Sequence, residues 1–71
     1  MGVSHLEDLR EFLKKNKDKS FSRTALRDEL NHYYESILEN LVYLFDVEKV
    51  IIKIEKEGYT TRYQWKKWEA N

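Results

Sequence analysis

The chain has no cysteine, no proline and only two glycines, Gly2 and Gly58, among its 71 residues. Without cysteine there is no disulfide, no thiolate metal site and no thiol nucleophile, which fits a reducing compartment. With two isolated glycines there is no glycine-rich phosphate loop. No apolar run approaches the roughly 20 residues of a membrane span. The N-terminus lacks the apolar segment of a secretory signal, so the expected location is cytoplasmic and no membrane partner is expected. The chain also lacks an excess charge of either sign, with 13 Lys and Arg against 13 Asp and Glu. Non-specific nucleic-acid binders carry a strong positive excess, so any contact of that kind must come from local patches.

Such patches exist. Residues 1–19 carry five bases and four acids, and residues 20–31 carry two of each. Residues 32–48 carry four acids and no Lys or Arg, whereas residues 49–68 carry six bases and two acids. An acidic segment is thus followed at once by a basic one. The length allows one domain, residues 1–71, with a core small enough that short loops or a partner chain would help it.

Asn31 to Phe45, NHYYESILENLVYLF, is the segment the rest is arranged around. Its periodicity predicts a helix from about Tyr34 to Asp46, with Tyr34, Ile37, Leu38, Leu41, Leu44 and Phe45 on one face. His32, Ser36, Glu39, Asn40 and Tyr43 fall opposite. Upstream, Ser4 and Glu7 read as a capping box opening a helix from about His5 to Lys15. Leu6, Leu9 and Leu13 form its apolar stripe with Phe12 alongside, and Asn16 is expected as a left-handed C-cap. Ser20-Phe21 is expected as a very short strand, Phe21 inward. Ser22 caps a helix from Arg23 to Leu30, which buries Ala25, Leu26 and Leu30 and turns Arg23, Arg27 and Asp28 outward. Asn31 tolerates positive φ and serves the turn into the next helix.

Downstream, Lys49 to Glu57 (KVIIKIEKE) alternates and is β-branched. The alternation predicts Val50, Ile52 and Ile54 inward, with Lys53 and Glu55 outward. Gly58 marks the turn. The returning strand runs to about Trp68, with Thr61, Tyr63 and Trp65 inward and Arg62, Gln64 and Lys66 outward. An isolated hairpin is barely stable in water, so this one must pack on the helices.

The expected fold class is therefore α+β: helix, short strand, helix, helix, strand, strand. From Leu6 to about Trp65 this resembles the winged helix-turn-helix family. Leu26 and Leu30 end the second helix, and Asn31 stands where the family often has Gly. Ile37, Leu41 and Leu44 stand at the three buried positions of the third helix, and Lys49–Lys67 matches the two-stranded wing. The family's usual Gly between third helix and wing is absent; Asp46-Val47-Glu48-Lys49 stand there. The family's recognition helix usually bears Lys or Arg, and this one bears none.

The resemblance implies a small DNA-binding protein, a transcriptional regulator without cofactor, its third helix in the major groove and its wing on the phosphates. Ser36, Asn40 and Tyr43 would then face base edges, Asn pairing with adenine in bidentate fashion. His32 and Tyr33 would contact phosphate at the helix start. Lys53, Lys56 and Arg62 would grip the backbone from the wing, with Arg62 or Lys56 reaching a minor groove. Arg23 and Arg27, one turn apart behind Ser22, would touch the backbone too. Such a module commonly works as a homodimer on double-stranded DNA.

The bland counterpart is a solvated acidic helix face and a strand edge guarded by lysines. A second functional reading is a winged-helix protein-interaction module, with the acidic segment and Tyr33 and Tyr43 offered to a basic protein partner. Trp65 is expected to close the core under the hairpin. Trp68 is expected either on the first helix or in a homodimer interface. Catalysis has little support: His5 and His32 are far apart in sequence, no metal-ligand spacing exists, and no carboxylate pair marks a cleft. The chain reads as a non-enzyme with no metal.

Overall fold

Each element starts and stops where local chemistry dictates. The structure, a computed structural model, describes residues 3–67. Helix α1 spans Val3–Lys15 and ends on Lys14 and Lys15, where the helix dipole favours cations. Strand β1 spans Ser20–Ser22 and runs directly into α2, Arg23–Leu30. The Ser22 hydroxyl accepts a hydrogen bond from the Ala25 amide at 3.2 Å, satisfying a donor that the first turn leaves orphaned. Asn31 then stops the helix in the left-handed conformation, φ 58° and ψ 40°. Its N–H donates to the Arg27 carbonyl at 2.8 Å.

Helix α3 spans Tyr34–Val42 and continues as a wider π-helical turn over Tyr43–Val47. The Glu48 N–H donates to the Tyr43 carbonyl, five residues back, at 3.0 Å. Lys49 follows with φ 56°, a left-handed non-glycine residue at the helix exit. Strands β2 (Ile51–Ile54) and β3 (Arg62–Trp65) come next. Between them Gly58 sits at φ 84°, and the Tyr59 N–H closes the turn on the Lys56 carbonyl. The three strands form an antiparallel sheet in the order β1-β3-β2.

The core lies where α1, α2 and α3 meet one face of this sheet. Leu9 and Leu13 come from α1 and Leu26 from α2. Ile37 and Leu41 come from α3, Leu44 from its π turn, and Ile51 and Tyr63 from the hairpin. Fully burying each Leu or Ile contributes about 1.5–3 kcal/mol. Leu6, Phe12, Phe21, Leu30, Phe45, Val50 and Trp65 pack around them, partly buried. Trp65 thus takes its expected place, and the Phe21 ring meets that of Phe12 at 5.0 Å.

Several expectations need correction. Helix α1 begins at Val3, so Ser4 stands inside the helix rather than ahead of it. Asn16 is not left-handed; its side-chain amide and backbone N–H both donate to the Phe12 carbonyl, at 2.9 and 3.0 Å, and this closes α1 without positive φ. The glycine missing from the exit of α3 is replaced by Lys49, which adopts the conformation a glycine would take more cheaply.

Strand β2 is one residue out of the expected phase. Ile51 is 2% exposed and Ile52 39%. Ile51 pairs with Trp65 and Lys53 with Tyr63, so Lys53 shares the inward face and Ile52 does not. Three consecutive β-branched residues, Val50-Ile51-Ile52, leave the alternation ambiguous, and pairing with β3 decides it. The strands are also shorter than expected, and the Trp68 reading lies outside the described residues.

Candidate binding face

The expected site divides into the exposed side of α3, the hairpin, and the start of α2. On α3, Glu35, Glu39, Val42, Tyr43, Asp46 and Val47 are exposed, with Ser36 and Leu38 half-buried. Tyr33, just ahead of the helix, projects into solvent, and Tyr34 is more exposed than its place on the apolar stripe implied. The side therefore presents three carboxylates, apolar groups and hydroxyls, and no cation.

Asn40 is not on that side. It is 8% exposed, and its amide nitrogen has no partner among the described residues. Counting by residue type placed it outward; the helix phase set by Ile37, Leu41 and Leu44 turns it inward. His32 is likewise withdrawn, with a side chain 6% exposed. Its ring stacks on His5 at 4.3 Å, and its Nε2 lies 3.5 Å from an Asp8 carboxylate oxygen. Neither Asn40 nor His32 is free to meet a base or a phosphate as placed.

The bases are scattered by their own contacts. The Lys53 ammonium stands 4.9 Å over the Phe45 ring, and that of Lys56 stands 5.8 Å over the Tyr59 ring. Arg62 donates to the Ser20 hydroxyl and the Ser20 carbonyl, both at 2.8 Å, fastening β1 to the sheet. Arg27 pairs with Asp28 at 3.1 Å. Arg23 is half-buried and lines a trough of about 310 Å³ with Leu38, Leu41, Val42, Phe45, Asp46, Lys53 and Tyr63. The structure thus brings Arg23 and Lys53 together beside α3, and leaves Arg27, Lys56 and Arg62 elsewhere. Tyr43, Ser36 and Tyr33 remain accessible on α3 and its approach.

One contact was invisible to any local pattern. Arg10 of α1 donates to both carboxylate oxygens of Glu48 and to Glu7 at 2.6 Å. The hydrogen bonds Arg10 donates to Glu48 are the main reason its guanidinium binds its proton more tightly than usual, with the charges of Glu48 and Glu7 adding to it. Glu48 is thereby withdrawn from the acidic face. Arg10 and Glu48 are 38 residues apart, and nothing in helical or strand periodicity pairs them.

Among the described residues no cluster of three His, Asp or Glu side chains is arranged to hold a metal ion. Nor is any helix among them long and apolar enough to cross a membrane. The chain matches no protein-family model, no curated protein and no solved structure.

Proposed function

We propose that the chain is a winged helix-turn-helix domain that uses the exposed side of α3 to bind protein rather than to read DNA. The fold reading rests on the element order, the β1-β3-β2 sheet, the left-handed Asn31 in the turn between α2 and α3, and the left-handed Lys49 at the entry to the hairpin. The functional reading rests on one observation. The side of α3 that a groove-binding helix would turn to bases carries Glu35, Glu39 and Asp46 with no Lys or Arg, while Asn40 faces the core. Carboxylates set against a phosphate backbone repel it, and α3 itself carries no cation to offset that; Arg23 and Lys53 stand only at its flank. Exposed Val42, Tyr43 and Val47 beside the acids are the mixture that protein contacts use.

Duplex DNA is the second reading, favoured by the exposed Lys53 and Lys56 of the hairpin, and it would make the protein a regulator held by phosphate contacts. A titration of isotope-labelled protein with a generic duplex at low salt separates the two. The protein-binding reading expects amide shifts confined to the hairpin, fading steeply with salt. Concerted shifts from Glu35 to Asp46 would overturn it. Glu39→Lys gives the complementary readout: it should weaken protein binding, whereas groove binding would be strengthened.

A further inference from the structure

We infer that the partner on this face is a second copy of the chain, packed antiparallel on α3 about a two-fold axis at Val42; the inference rests on the protein-binding reading above. Charge is uneven along the helix. Its first half exposes Glu35 and Glu39. Its second half is flanked by cations: Arg23 and Lys53 line the trough of about 310 Å³, and Lys49, Lys53 and Lys66 line an adjoining hollow of about 420 Å³ over Phe45, Ile51 and Ile52. Asp46 is the single acid in either. Between the halves stands Val42, 57% exposed.

A uniformly basic partner would meet Arg23, Lys53 and Lys49, and a uniformly acidic one would meet Glu35 and Glu39. The surface fits a partner with the same charges in reverse order, and an antiparallel copy of the chain supplies that, its cations coming from α2 and the hairpin segment beside α3. With Val42 on the axis, positions equally spaced before and after it face each other. Glu39 then meets the level of Phe45, over whose ring the Lys53 ammonium stands. Glu35 lies toward the copy's helix exit, beyond which Lys49 follows. Both contacts occur twice, as a two-fold interface requires. The apolar walls of the trough, Leu38 and Phe45 with Val42, are covered in the same step.

Sedimentation equilibrium of the full chain tests this. The wild type should pass from monomer to dimer as concentration rises, and Val42→Glu should hold it monomeric. Glu39→Lys and Lys53→Glu should each weaken association by about tenfold or more. The double variant restores the opposite-charge pairing across the axis and should associate within a few-fold of wild type. A wild type monomeric throughout, or a double variant no better than either single one, overturns the inference. A monomer whose α3 amides ignore duplex DNA removes only the second copy. Shifts of those amides with duplex remove the protein-binding reading with it.

Discussion

The two sides of α3 are made from interleaved residues and obey different rules. On the inward side, Ile37 and Leu44 are wholly buried and Leu41 nearly so. On the outward side, Val42 and Glu39 sit a residue or two from them and face solvent. The inward side is fixed by volume, because a packed interior tolerates neither a void nor an extra methylene. The outward side is under no such packing constraint, and on the proposed reading its apolar and acidic groups meet a partner.

The largest test of this contrast lies under the helix, in β2. Ile51→Asp should abolish folding, because it puts an unpaired carboxylate into the core, whereas Ile52→Asp should leave a cooperative thermal transition. Equal damage from both would mean that the strand is not phased as described. Next, Ile37→Ala should cost about 3 kcal/mol of stability. Val42→Ala should cost less than about 0.5 kcal/mol, while weakening association. Denaturant titration reads the first quantity and sedimentation the second.

Where α3 leaves the core, the Arg10–Glu48 pair and the left-handed Lys49 shape its exit. Arg10→Met should cost about 1 kcal/mol, since it strips Glu48 of its partner at a partly exposed site. The folded state holds the Arg10 proton more tightly than the unfolded chain does. Its contribution is therefore complete below the unfolded pKa and is lost only as pH rises through the folded one, far above neutrality. The stability gap between wild type and variant should accordingly stay flat from neutral into moderately alkaline pH. Lys49→Gly should add about 1 kcal/mol or slightly less, by relieving a left-handed backbone that disfavours a β-carbon.

Local chemistry was legible in the sequence. Ser22 as a cap, Asn31 as a left-handed stop, the Leu9 and Leu13 stripe, the Ile37, Leu41 and Leu44 stripe and the inward set Tyr63 and Trp65 all follow from spacing and side-chain type. The rest depended on contacts distant in sequence. Periodicity cannot choose among Val50, Ile51 and Ile52; the pairing of Ile51 with Trp65 does. Polarity predicts Asn40 outward, although one helical position from Leu41 it sits within the core arc. The His5–His32 stack and the Arg10–Glu48 pair join α1 to segments far along the chain. Of the candidate site, the accessibility of Tyr33, Ser36 and Tyr43 was readable. The tethering of Arg62 to Ser20 and the position of Lys53 over Phe45 were not, since both follow from how the strands pair.

Because the chain has no cysteine of its own, single cysteines can report on each side of α3 without background. The decisive measurement is the thiol-labelling rate of Val42→Cys and Asn40→Cys in dilute solution, each compared with its own unfolded chain. Near-unfolded reactivity is expected for Val42→Cys, falling as protein concentration rises, and strong protection for Asn40→Cys at every concentration. Protection of Val42→Cys in dilute solution together with free reaction of Asn40→Cys would mean that the helix is turned the other way, with Val42 in the core and Asn40 in solvent.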